Sequence, residues 1–181
     1  MLTGSLAGSY HGAPRATQDI DIVVEASLAD LLAVAASLRV AGLYVSDDAV
    51  REARSAGGMF NAIDPKTGWK VDFIIRKERP FSRAEFEARQ AIELLGLELS
   101  IASAEDLIVA KLEWARLGDS GRQLRDVAEI VAIQGPALDH DRIERWVMEL
   151  ELGAEWELAR KLAETLGVSG KGRGEQLSKG T

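Results

Sequence analysis

The chain has 181 residues, 46% of them hydrophobic and 28% charged, enough for one compact globular domain or one with a helical annex. It contains no cysteine, which excludes a disulfide framework and a thiolate zinc site, and no apolar run approaches the roughly 20 residues of a membrane span. A net charge of −7 argues against non-specific coating of nucleic acid, because such binding rests on phosphate neutralisation by lysine and arginine. Cytoplasmic placement, with no membrane partner, is the default expectation.

Met1-Leu2-Thr3 reads as the stub of a strand. Gly4-Ser5 permits a sharp turn into a short helix over 6–11, whose N-terminal amides suit an anion, and Gly12-Ala13-Pro14 ends it. The stretch 19–25 predicts a buried central strand, with β-branched residues at Ile20, Ile22, Val23 and Val24. Ser27 is placed to cap a helix running to about 41, with Leu28, Leu31, Leu32, Ala35 and Leu38 at helical spacing and Gly42 as its stop. A more polar helix follows over about 47–55. Strands over 59–63 and 69–76 flank Asp64-Pro65-Lys66-Thr67-Gly68, which has strong turn chemistry. The stretch 80–88 reads as irregular or a short helix, and 91–101 as one or two short edge strands.

From Ser103 the character changes. Ser103-x-x-Asp106 resembles a capping box and opens a helix to about 117. Further helices are expected over about 120–134, 139–150 and 155–166, divided by Gly118, Gly135-Pro136 and Gly153. The fold class is therefore α+β: a small mixed β-sheet flanked by helices over 1–102, then a helical C-terminal region over 103–167. The Gly-, Ser- and Lys-rich tail, 168–181, is expected to be disordered.

The chemistry concentrates in Asp19-Ile20-Asp21-Ile22. Alternation along a strand points Asp19 and Asp21 to one face, roughly 7 Å apart. A close pair of carboxylates needs compensation, and magnesium, a hard cation that takes one or two carboxylates plus phosphate oxygens, supplies it. Asp72, in Trp69-Lys70-Val71-Asp72, is placed to provide a third carboxylate. Exposed strand-edge charges are the bland alternative for the first two, disfavoured by their apolar flanks. Arg15 suits either a phosphate contact or a bond bracing the turn, and His11 reads as a structural helix-end residue. Lys111 falls in a helical stripe with Leu107, Ile108 and Trp114, where a lysine is costly unless paired. Two partners suit it: a triphosphate, or Asp126 in a structural ion pair. Trp114, Trp146 and Trp156 read as helix-packing core.

The run Gly4-Ser5, then His11-Gly12-Ala13-Pro14-Arg15-Ala16-Thr17-Gln18-Asp19-Ile20-Asp21-Ile22-Val23-Val24, resembles the signature of the polymerase-beta-like nucleotidyltransferase superfamily. It is most similar to bacterial proteins akin to the abortive-infection toxin nucleotidyltransferases. Glu105-Asp106-Leu107-Ile108-Val109-Ala110-Lys111-Leu112 and Arg122-Gln123-Leu124-Arg125-Asp126-Val127 resemble that subgroup's helical motifs. Two departures stand out. The interval from Gly4-Ser5 to Asp19 exceeds that of minimal members, whereas Gly8-Ser9 has a shorter interval but would sit mid-helix; the toxin-like subgroup uses the longer one. Relatives also carry a helix and a full strand before the glycine pair, so a start upstream of Met1 is expected.

The resemblance implies a nucleotidyltransferase fold, with 1–102 as its core, and transfer of a nucleoside monophosphate from a nucleoside triphosphate to an acceptor hydroxyl. Two magnesium ions would be held by Asp19 and Asp21, with Asp72 holding one of them and helping to deprotonate the acceptor. Gly4 and Ser5 would meet the β- and γ-phosphates, and Arg15, Thr17, Lys111 and Asp126 would complete the nucleotide site. The acceptor would be an RNA such as tRNA, another macromolecule or a small molecule. The subgroup implies the toxin-like half of a toxin–antitoxin or phage-defence pair, with an antitoxin protein as partner. An aminoglycoside-modifying enzyme and a non-catalytic nucleotide- or partner-binding module are the rival readings.

Overall fold

The computed structural model describes residues 1–94, 96–118 and 120–177, with side chains to 167. They form, in chain order, β1 (Leu2–Thr3), α1 (Gly4–His11), β2 (Asp19–Val24), α2 (Leu28–Val40), α3 (Asp47–Ala56), β3 (Met59–Ile63), β4 (Lys70–Ile75), α4 (Pro80–Glu87), β5 (Gln90–Leu94) and β6 (Leu97–Ile101). Helices α5 (Ala104–Gly118), α6 (Gly121–Gln134), α7 (His140–Glu149) and α8 (Gly153–Leu177) follow, with a 3₁₀ turn at Gly135–Ala137. The backbone of α8 enters the stretch expected to be disordered; the rest of that expectation lies outside the described residues. No helix among the described residues is long and apolar enough to cross a membrane.

The chain divides into two compact units: Met1–Ala7 with Pro14–Ser103, and Gly8–Ala13 with Ala104–Thr181. The first is built on a six-stranded mixed sheet in the order β3-β4-β2-β1-β6-β5. β2 runs parallel to β4 and β1 parallel to β6, while β1–β2, β3–β4 and β5–β6 are antiparallel. The stretch read as edge strands thus supplies one true edge, β5, and one interior strand. β6 is internal because Leu2 pairs with Ile101, a contact between distant stretches that local pattern does not reveal.

Helices α2 and α3 cover one face of the β2–β4–β3 half. Leu31 and Ala35 of α2, with Val50 and Ala53 of α3, bury against Phe60, Ala62, Phe73 and Ile75. The Phe60 and Phe73 rings stack at 4.9 Å between centroids. Ser27 caps α2 by accepting the Asp30 N–H at 3.2 Å, as its position predicts. In the β3–β4 turn, the Asp64 carboxylate accepts from the Lys66 N–H and the Thr67 hydroxyl, fixing the hairpin. This packing consumes one face of β2 and β4; the opposite face carries Asp19, Asp21, Lys70 and Asp72, followed by Val23 and Ile74.

The second unit is helical. Leu107, Ile108 and Leu112 of α5, Val127 and Ile130 of α6, Ile143 and Trp146 of α7, and Trp156 and Ala159 of α8 form its buried interior. Trp146 and Trp156 meet the expectation of core packing, but Trp114 is 60% exposed. One turn past Lys111, it lies outside the buried stripe of Leu107, Ile108, Lys111 and Leu112. Asp106 is completely buried, and Arg142 grips it through Nε and Nη2, each at 2.8 Å. This two-pronged ion pair ties α7 to α5.

Candidate active site

Strand pairing decides which side chains share the polar face. In the parallel β2–β4 ladder, Asp19 stands opposite Lys70 and Asp21 opposite Asp72. Thr3 of β1 is in register with Asp21, and Asn61 of β3 with Asp72. Partners in register lie on the same side of a sheet, and alternation sends Ile22, Val24, Phe73 and Ile75 to the other. Asp19, Asp21 and Asp72 therefore line one face of two neighbouring strands, the first two as their spacing predicts. They differ in depth: Asp72 is 4% exposed, Asp21 half-buried and Asp19 exposed.

The glycine-serine pair closes on this face. Helix α1 begins at Gly4 rather than at residue 6, so the pair forms its first turn. Gly4 has φ +63, a conformation a side chain disfavours. A Cβ placed there would lie 1.9 Å from Asp21 Oδ2, so only glycine admits the carboxylate. The Ser5 N–H donates to the Asp21 carboxylate. The Ser5 hydroxyl accepts from Arg15 Nη2, so Arg15 braces the turn in this structure. The Thr17 hydroxyl accepts the Asp19 N–H at 3.1 Å and fixes the entry of β2. Ser5 is thus tied to both Asp21 and Arg15, Thr17 to the backbone of Asp19, and Gly4 packs against Asp21.

The face is electrostatically loaded. Burial raises the Asp21 carboxyl above the ordinary carboxylate range, and the negative charges of Asp72 and Asp19 add to that, against the Ser5 amide and Lys70. Lys70 supplies the balancing charge, with Nζ at 2.9 Å from Asp72 Oδ2 and 3.4 Å from Asp19 Oδ1. The other Asp72 oxygen, Oδ1, is buried with no hydrogen-bond partner among the described residues. Lys70 is the residue that sequence reasoning passed over. Its signal was present in the Lys70-x-Asp72 alternation, which puts both side chains on one face.

No three acidic or histidine side chains among the described residues converge closely enough, as they stand, to hold a metal ion. The donor set nonetheless fits a hard divalent cation. It offers three carboxylates on one face, a buried oxygen lacking any partner, and mutual repulsion that a cation would relieve.

The remaining candidates belong to the second unit. Lys111 and Asp126 are both buried and pair at 2.7 Å, and Gln123 Oε1 takes a second Lys111 bond at 3.2 Å. The structural pairing foreseen for Lys111 is thus formed. Gly8 lies within α1, where a Cβ would sit 3.4 Å from Lys111 Cε, so Gly8-Ser9 is mid-helix as expected. His11 is buried in the last turn of α1, edge-on to Tyr10 at 5.2 Å.

No family model matches the chain, and no curated protein matches it significantly. Among solved structures, an antigenic nucleotidyltransferase-like protein from Paracoccidioides brasiliensis is similar over 89% of this chain and 82% of its own, at 14% identity and a TM-score of 0.53. The antibiotic-resistance factor ANT(2'')-Ia is matched over 98% of this chain and 84% of its own, at 13% identity and a TM-score of 0.43. The first of these likenesses, with the six-stranded mixed sheet and its helices, shows that the chain has a nucleotidyltransferase-like α+β fold.

Proposed function

We propose that the chain is a nucleotidyltransferase that moves a nucleoside monophosphate from a nucleoside triphosphate to an acceptor hydroxyl, with pyrophosphate leaving. The observation that carries this reading is the meeting of Asp19, Asp21 and Asp72 on one sheet face beside the Gly4–Ser5 turn. Asp19 and Asp21 would hold two magnesium ions, with Asp72 sharing one. When bound, such ions supply the charge that a triphosphate and an attacking oxygen need.

The chain's own residues do the positioning. Gly4 lets the backbone approach Asp21, and the Ser5 amide holds that carboxylate's orientation. Ser5 and Arg15, now bonded to each other, carry a hydroxyl and a guanidinium suited to phosphate oxygens. Thr17 fixes the backbone at Asp19. The partnerless Asp72 Oδ1 is the group suited to take the acceptor's proton. Lys111 and Asp126 enter the nucleotide site on the resemblance alone, as does a toxin-like role with an antitoxin partner.

The test is incubation with each α-labelled nucleoside triphosphate and magnesium in the presence of cell RNA, the protein itself or aminoglycosides. Label is expected on one acceptor class with the wild-type chain and not with Asp19→Asn/Asp21→Asn. Growth arrest on expression, lost in the same double variant, is expected if the acceptor is essential RNA. Protection from an aminoglycoside would assign the small-molecule acceptor instead. Label transfer that survives the double substitution would overturn the assignment of the site.

A further inference from the structure

Lys70 occupies two of the carboxylate oxygens that a cation at this face would use. Its ammonium lies 2.9 Å from Asp72 Oδ2 and 3.4 Å from Asp19 Oδ1, and strand register holds it opposite Asp19. Magnesium binds carboxylate oxygens at roughly 2.0–2.1 Å and tolerates little distortion of its shell. An ammonium and a divalent ion cannot share one carboxylate oxygen at such distances without strong repulsion. The Lys70 side chain is one-third exposed, on a flexible four-carbon stem, so it has somewhere to go. Asp72 has less freedom, because its side chain is only 6% exposed.

We infer that Lys70 is the internal countercation of this site, pairing with Asp72 and Asp19 in the metal-free protein and giving way when a divalent ion binds. This rests on the reading of the three aspartates as metal ligands. Two consequences of opposite sign follow. Without Lys70 the metal-free carboxylates repel one another unrelieved, so the metal-free protein becomes less stable. The incoming ion then displaces no competitor, so it binds more tightly.

The experiment uses Mn²⁺ alone, without nucleotide, and follows loss of the free-ion paramagnetic resonance signal on titration with the full chain. Lys70→Met is expected to bind Mn²⁺ about tenfold more tightly than wild type, the change produced by one displaced competitor worth about 1.4 kcal/mol. In chelator its melting temperature is expected to fall below that of wild type, and Mn²⁺ is expected to restore it. Lys70→Arg keeps the charge, and its fork can hold both carboxylates, so it is expected to fold and to bind Mn²⁺ more weakly than Lys70→Met. Equal or weaker binding by Lys70→Met, with binding still abolished by Asp21→Asn, would overturn the role of Lys70 and leave the metal ligands standing. If neither wild type nor Lys70→Met takes up Mn²⁺, both the inference and the metal reading fall. Should Lys70→Met not fold, Lys70→Arg decides against wild type: equal or weaker binding supports the inference, and tighter binding overturns it.

Discussion

Asp21→Asn is expected to lower nucleotide transfer by about 10³-fold or more while raising the melting temperature of the metal-free protein. The loss follows from position. Asp21 lies between Asp72 on the neighbouring strand and the Gly4–Ser5 turn, and its carboxylate takes the Ser5 N–H. Asparagine keeps the shape and removes the charge, so a cation loses a ligand shared by both proposed sites. Metal stabilisation of a phosphoryl-transfer transition state is worth several kcal/mol, and each 1.36 kcal/mol is a factor of ten in rate. The gain in stability follows from the same crowding. Burial and the charges of Asp72 and Asp19 disfavour the ionised Asp21 carboxyl. A neutral side chain removes that penalty. Steady-state transfer assays and thermal melts in chelator read the two effects separately; a fall in both would mean that Asp21 holds the fold rather than the chemistry.

Asp106→Ala is expected to destabilise the protein by about 3–5 kcal/mol, the range for breaking a buried ion pair by removing one partner. Asp106 has no exposed surface, and Arg142, held by it through two 2.8 Å bonds, would be left partly buried without its carboxylate. The pairing also raises the Arg142 guanidinium further above its ordinary value, first through the hydrogen bond to Asp106. Replacing both members, Asp106→Leu with Arg142→Met, is expected to recover most of the loss, because well-packed apolar residues often match a buried pair. Urea unfolding of the two variants measures this directly. A loss below about 1 kcal/mol for Asp106→Ala would show that the pair contributes little.

What the sequence disclosed tracks the range of the interactions involved. Asp19 and Asp21 on a strand, the Ser27 cap and the Asp64 turn depend on neighbours within a few residues, and their local patterns sufficed. The placement of Asp72 beside Asp21 was expected as what the family resemblance implies, not from a local pattern, because it rests on the pairing of two distant strands. Lys70 was passed over although it alternates with Asp72, since its meaning depends on the register that sets it opposite Asp19. The interior position of β6 depends on Leu2 pairing with Ile101, across nearly the whole first unit. Arg142 lies 36 residues from Asp106, and no spacing rule connects them. Trp114 shows the converse failure: hydrophobicity placed it in the core, but the turns of α5 carried it to the surface.

The proposed function requires the face of Asp19, Asp21 and Asp72 to hold a nucleoside triphosphate through a divalent ion. Its most direct measurement does not depend on knowing the acceptor: titration of a fluorescent triphosphate analogue with a non-cleavable α–β bridge, followed by anisotropy. Saturable binding is expected with magnesium and is expected to disappear in chelator and in Asp21→Asn, with circular dichroism unchanged. Binding that persists without magnesium and in Asp21→Asn, or no binding by the wild-type chain in magnesium, would contradict the proposed function.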